Sequence, residues 1–102
     1  MNEEEDYDNL RQQLQVEMAQ KQTLQLQYNE IKRTLDEVEH SQDTEKLFEM
    51  VGQVLVSRDR KALSSSLKEK LELIEFRLKN ISKSVDETTK QLQETQKKLE
   101  KK

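Results

Sequence analysis

The chain has 102 residues, of which 31% are hydrophobic and 38% charged, with one glycine and no proline, cysteine or tryptophan. Globular domains ordinarily hold about half apolar and about a quarter charged residues, and they use Gly and Pro at their turns, so a barrel, a sandwich and an α/β enzyme domain are all disfavoured. The net charge of −3 offers no positive field for nucleic acid, and the longest aliphatic run, Val54-Leu55-Val56, falls far short of the ~20 residues of a membrane span.

The chain starts acidic, Asn2-Glu3-Glu4-Glu5-Asp6, where a signal peptide would be basic and then apolar. With no cysteine there is no disulfide framework, and a soluble cytoplasmic protein is the expectation. From Tyr7 onward, apolar residues fall on alternating steps of three and four. Tyr7, Leu10, Leu14, Glu17, Lys21, Leu24, Tyr28, Ile31, Leu35 and Val38 occupy successive a and d sites of a heptad, and eight of these ten are apolar. A 3.5-residue period sustained this long predicts a coiled-coil helix, here over 7–40.

His40-Ser41-Gln42-Asp43-Thr44 breaks the pattern with residues that favour caps and turns. The segment 46–58 then concentrates β-branched and aromatic residues around the single glycine. Gly52-Gln53 suits a two-residue type II′ turn, in which the first central residue needs a positive φ, so a β-hairpin is predicted with strands near 47–51 and 54–58. Asp59, or Ser57, is a candidate N-cap for a second helix.

A second heptad series runs Leu67, Leu71, Ile74, Leu78, Ile81, Val85, Thr88, Leu92, Thr95 and Leu99, predicting a helix over 60–100. Two arms of similar length, each of roughly 48 Å at ~1.5 Å per residue, flank the hairpin and can fold back as an antiparallel coiled coil. The fold class expected is therefore mainly α, a single domain over 1–102 with one β-hairpin inserted between two long helices. Facing a sites against d sites gives partner numbers summing to about 109, which sets Leu10 near Leu99, Leu14 near Thr95, Leu24 near Val85, Ile31 near Leu78 and Leu35 near Ile74. Polar residues at Glu17, Lys21, Thr88 and Thr95 weaken the seam toward the free ends. Acids at the start of the first helix and Lys97, Lys98, Lys101 and Lys102 at the end of the second complement their own helix dipoles and meet at one tip.

A lone two-stranded hairpin is not stable in water, and Phe48, Met50, Val51, Val54, Leu55 and Val56 have no second layer within the chain. Hairpins from several subunits joining in a shared sheet or barrel would bury them. At the other end, Tyr7, Leu10, Leu14, Leu92 and Leu99 sit among flexible polar residues; they either grip exposed apolar segments of another protein or simply complete the coiled coil.

Helix, one hairpin carrying Met50-Val51-Gly52-Gln53-Val54-Leu55-Val56, and a return helix opening with Leu67-Lys68-Glu69-Lys70-Leu71-Glu72 together closely resemble a β-type prefoldin subunit. Within that family the chain looks most like the eukaryotic subunit 6 class, by its Lys70-Leu71-Glu72-Leu73-Ile74 stretch, or else subunit 2, with an archaeal β subunit as the remaining alternative. Alpha-type subunits carry two hairpins, and only one fits here. The resemblance implies a hexamer of two α-type and four β-type chains, so that this chain would join two α-type and three further β-type subunits, with the hairpins building a β-barrel platform. It further implies an ATP-independent chaperone whose coiled-coil tips hold unfolded clients, actin and tubulin among them, and deliver them to a group II chaperonin. Carried onto this sequence, Phe48, Met50, Val51, Gly52, Val54, Leu55 and Val56 become subunit-interface residues, and Tyr7, Leu10, Leu14, Leu92 and Leu99 become client contacts.

Other chemistry finds little footing. His40 is the only histidine and lies in a polar junction without a serine-and-acid constellation, so no catalytic residue is assigned. One glycine cannot build a phosphate loop, and neither paired His nor an oxygen-rich loop offers a metal site, so no cofactor or metal is expected. Ser64-Ser65-Ser66 reads as local capping. The competing function is a structural or adaptor coiled coil that dimerises through its long helices.

Overall fold

A computed structural model describes residues 2–101 and orders the elements as helix α1 (Glu3–His40), strand β1 (Leu47–Val51), strand β2 (Val54–Arg58) and helix α2 (Arg60–Glu100). The helices are joined through a two-stranded antiparallel hairpin, so the mainly helical architecture matches the heptad reading. Helix α1 starts at Glu3, ahead of the expected residue 7, because Asn2 caps it. The Glu5 amide donates to Asn2 Oδ1 at 2.8 Å and the Asp6 amide to Asn2 O at 3.1 Å, which satisfies donors that a helix start otherwise leaves orphaned. Glu3, Glu4, Glu5 and Asp6 fill its first turn, favourable beside the positive end of the dipole. Lys97 and Lys98 fill the last turn of α2; Met1 and Lys102, the latter part of the basic cluster, lie outside the described residues.

The heptad series are visible directly as burial. On α1, Tyr7, Leu10, Leu14, Glu17, Leu24, Tyr28 and Ile31 are half-buried and Leu35 and Val38 buried, whereas Lys21 emerges into solvent. On α2 every seam position from Leu67 to Leu99 is half-buried or buried. The chain divides into two compact units. One is the continuous segment Leu26–Glu75, which contains the hairpin; the other combines the chain up to Gln25 with the chain from Phe76 onward.

In the hairpin unit, Leu35, Val38, Leu63 and Leu67 form a buried cluster against which Ile31, Leu47 and Leu71 pack. Each leucine removed from water contributes about 1.5–3 kcal/mol. Polar groups close the rim. Tyr28 Oη donates to Glu75 Oε1 at 3.2 Å, Ser64 Oγ donates to Glu39 Oε1 at 3.3 Å, and Lys68 Nζ lies 3.4 Å from the same oxygen. In the other unit, Gln13 Nε2 donates to Thr88 Oγ1 at 3.3 Å. These partners place the register about one heptad (~7 residues) away from the expected pairing. Leu35 clusters with Leu63 and Leu67, not with Ile74, and Leu10 lines one groove with Gln91 and Thr95, not with Leu99.

The connection between β2 and α2 sets this register. Only Asp59 separates β2 from α2, and its carbonyl already accepts the Leu63 amide at 2.9 Å, so α2 starts immediately beneath the hairpin. The expected register would leave Leu63 and Leu67 beyond the end of α1 with nothing to bury against.

Candidate functional site

The hairpin is held by its neighbours in sequence. Helix α1 ends where Ser41 folds back, its amide and hydroxyl both donating to Val38 O, at 3.3 and 2.6 Å. A turn then closes as the Glu45 amide meets Gln42 O at 3.0 Å, and Arg60 Nη1 donates to Asp43 Oδ1 at 2.6 Å, tying this linker to the first turn of α2. Leu47 packs on the buried cluster and so anchors β1 to the helices.

Pairing runs Leu47↔Arg58, Phe48↔Ser57, Glu49↔Val56, Met50↔Leu55 and Val51↔Val54, leaving Gly52-Gln53 as the loop. Gly52 has φ 63°, and among the described residues no other residue has a positive φ. These φ signs belong to the type II′ turn, whose twist matches that of the strands. An L side chain at Gly52 would meet no neighbour, so the demand for glycine there is one of backbone conformation alone.

Directly paired residues share a face. One face carries Leu47, Glu49, Val51, Val54, Val56 and Arg58, with Glu49 Oε2 3.7 Å from Arg58 Nε. The other carries Phe48, Met50, Leu55 and Ser57. Phe48 is 54% exposed, and Met50, Val54 and Leu55 are each 63% exposed; Val51 is also open and Val56 half-buried. Five large apolar side chains within eight residues therefore face solvent. As the sheet has two strands, each strand also presents an outer edge without a ladder partner among the described residues. Strand edges plus uncovered apolar faces make a surface suited to pairing with further strands, and it carries no group for covalent chemistry.

The second set of candidate residues is placed differently. Tyr7, Leu10, Leu14, Leu92 and Leu99 all lie half-buried along the seam of the unit formed by the two chain ends. Tyr7 is further covered by Arg11, whose guanidinium carbon stands 5.9 Å from the ring centroid. Among the described residues of this unit no apolar residue is buried, and the one buried residue is Thr88, 2% exposed. Glu17 Oε1 is buried there without a hydrogen-bond partner. An open groove of about 350 Å³ runs between Leu10 and Thr95. Sequence spacing missed Val16 and Met18, both more than half exposed in this unit, because they fall off the seam. It also missed Leu63, because the alternation of threes and fours before Leu67 falls on Ser64 instead.

His40 stays at the end of α1, with Nδ1 2.7 Å from Asp36 O. Among the described residues no cluster of His, Cys, Asp and Glu is arranged to hold a metal ion, and no helix is long and apolar enough to cross a membrane.

Comparison with known proteins agrees with this architecture. The family described as prefoldin subunit matches residues 1–102. The prefoldin subunit beta of Pyrococcus horikoshii is 31% identical over 93 residues, covering 91% of this chain and 80% of that one. That of Thermococcus kodakarensis is 36% identical over 89 residues, covering 80% of this chain and 76% of that one. The crystal structure of the prefoldin beta subunit from Thermococcus strain KS-1 superposes with a TM-score of 0.91 at 29% identity, covering 97% of this chain and 87% of that one. These relatives are archaeal β subunits, so they show the β type and not the expected eukaryotic subunit 6 or subunit 2 class. The single hairpin, the two long helices and the matched family together show that the chain belongs to the prefoldin family, as a β-type subunit of a non-enzymatic chaperone.

Proposed function

We propose that this chain is one of four β-type subunits in a cytoplasmic hetero-hexamer with two α-type chains, holding unfolded clients such as actin and tubulin for transfer to a group II chaperonin without ATP hydrolysis. The observation that carries this reading is the uncovered hairpin, with Phe48, Met50, Val51, Val54 and Leu55 exposed on a two-stranded sheet. A sheet of this size is marginal alone and gains stability when further strands extend it. In this reading Gly52 sets the turn, Val56 and the five exposed residues form the joint with neighbouring hairpins, and the sheet closes into a barrel.

The weakly buried unit receives the second role. Tyr7, Leu10, Leu14, Leu92 and Leu99 are covered only in part, by a seam that holds Glu17, Lys21, Thr88 and Thr95 among them. Such a seam opens at little cost, and its apolar groups then become available to an unfolded segment. An adaptor that dimerises through its long helices fits less well, because α1 and α2 already use their seam positions on each other.

Native mass spectrometry of the tagged chain purified from its own cells tests the assembly. A six-chain complex of related helical subunits is the expected result, and a dimer with one long-helix partner would remove the hetero-hexamer reading. Deleting residues 1–14 and 92–102 tests the client role: assembly should persist while suppression of aggregation of a denatured client protein falls.

A further inference from the structure

Glu17 is the only carboxylate in the two heptad series, and its Oε1 is buried without a hydrogen-bond partner. A carboxylate oxygen in that position has given up its water and accepts nothing in exchange. Lys21 has the opposite charge and the i,i+4 spacing of a helical ion pair, yet it is exposed and leaves the seam for solvent. The seam of this unit therefore holds an acceptor that a cation from outside the chain can satisfy.

The approach to Glu17 is built into the same unit. The open groove of about 350 Å³ is lined by Leu10 and Thr95, by the carboxylates of Asp6 and Glu94, and by one ammonium, Lys98. Two acids against one base favour a positively charged visitor over a negative one. Gln13 also lines the groove, and its Nε2 donates to Thr88 Oγ1 at 3.3 Å. Glu17 lies one turn beyond Gln13 on α1. A long hydrogen bond between two neutral groups is thus what separates the groove from the buried carboxylate, and such a bond parts at little cost. Leu10 and Glu17 stand seven residues apart on one line of the seam, about 10.5 Å along the helix. An extended chain covers that distance in about three residues at ~3.3 Å each.

We infer that the seam from Leu10 to Glu17 selects unfolded segments carrying an apolar residue with a lysine or arginine three positions away. The inference rests on the client role given above to this unit and adds the chemical class of segment that it takes. The apolar side chain lies against Leu10, the Gln13–Thr88 bond parts, and the cation donates to Glu17 Oε1. A charge-assisted bond made where water is excluded is stronger than one made at the surface. Glu17 is then a residue that sets specificity as well as an interruption of the seam.

Fluorescence anisotropy of labelled, unstructured peptides with the natural assembly tests this. The peptides hold a pair of leucines among serines. Three positions after the second leucine comes lysine in one, glutamine in another and glutamate in a third; a fourth has the lysine directly beside the leucines. The first should bind about tenfold more tightly than the glutamine peptide, and the fourth should gain less. Glu17→Gln, close in shape and verified by circular dichroism, should remove the preference for lysine, and Glu17→Lys should turn it toward the glutamate peptide. Equal binding of the lysine and glutamine peptides overturns the inference and leaves the client role of the unit standing. A preference for lysine that persists in Glu17→Gln also overturns it, since Asp6 or Glu94 would then be reading the cation. Binding of none of the four peptides overturns both the inference and the client role.

Discussion

The two units of the chain are written in the same heptad period and are packed to different standards. In Leu26–Glu75 the seam holds Leu35, Val38, Leu63, Leu67 and Ile74, every one of them below one-tenth exposed. In the unit of the chain ends, the apolar side chains of the seam are half-covered, and among the described residues Thr88 alone is buried. The four polar interruptions of the two series, Glu17, Lys21, Thr88 and Thr95, all fall in that second unit. Period decides which residues face each other, whereas residue identity decides whether facing each other stabilises anything. A chain can thus keep one heptad period throughout and still grade the strength of its seam.

The largest effect expected from breaking this division lies in the hairpin. Val54→Asp with Val56→Asp places two carboxylates on the face that Leu47 anchors, and desolvating them in a joint between subunits is costly. The chain should stay helical by circular dichroism yet elute apart from its partners in size-exclusion chromatography. A normal yield of complex would refute the assembly role of the hairpin.

Next comes the contrast between the seams themselves. Leu67→Ala opens a cavity in the buried cluster and should cost about 2–4 kcal/mol, whereas Leu92→Ala, at a half-buried seam position, should cost about 1 kcal/mol. Urea unfolding of both variants in the same assembled state measures the ratio. Equal costs would show that the two seams are packed alike and would remove the contrast.

Gly52→Ala is smaller and purely conformational. No atom approaches the added methyl, so the expected destabilisation of about 1 kcal/mol comes from holding an L residue at φ 63°. Glu17→Leu acts in the opposite direction. Replacing a carboxylate that has an unpartnered buried oxygen should slow amide exchange around Leu14 and Leu24 and, by closing the seam, reduce client capture. Unchanged exchange would mean that Glu17 does not limit the closure of that unit.

Much of this was legible in the chain because it depends on period and on two special residues. Three-and-four spacing located both helices, and every position it assigned to the seam is buried or half-buried except Lys21, whose long side chain leaves its heptad site for water. A single glycine followed by Gln53 located the turn and its positive φ. Helix-to-helix register was not legible, since a heptad repeat looks the same after a shift of seven residues. It was decided by the connections, one residue after β2 against six before β1, and by the demand that Leu63 and Leu67 find cover. Val16, Met18, Leu73 and Phe76 lie off both seams, so the period already implied their exposure, and attention to the seam alone passed over them.

Asn2 carries the same contrast down to a single hydrogen bond. Its side chain caps α1 through the Glu5 amide, at the start of the less buried unit. Asn2→Ala should cost about 1 kcal/mol, yet where that cost is felt depends on how the unit is held. If the seam near Tyr7 and Leu10 were as firm as the cluster at Leu35, the loss would lower the midpoint of global unfolding. With a seam that is only half-buried, the first turns of α1 fray on their own before the rest of the chain opens. Amide exchange at Glu5 and Asp6 should therefore speed up about fivefold, while the midpoint for unfolding and the yield of complex stay unchanged. A lowered midpoint without faster local exchange would show that the end of α1 is coupled to the core, and that the gradient of burial along the seam is not a gradient of stability.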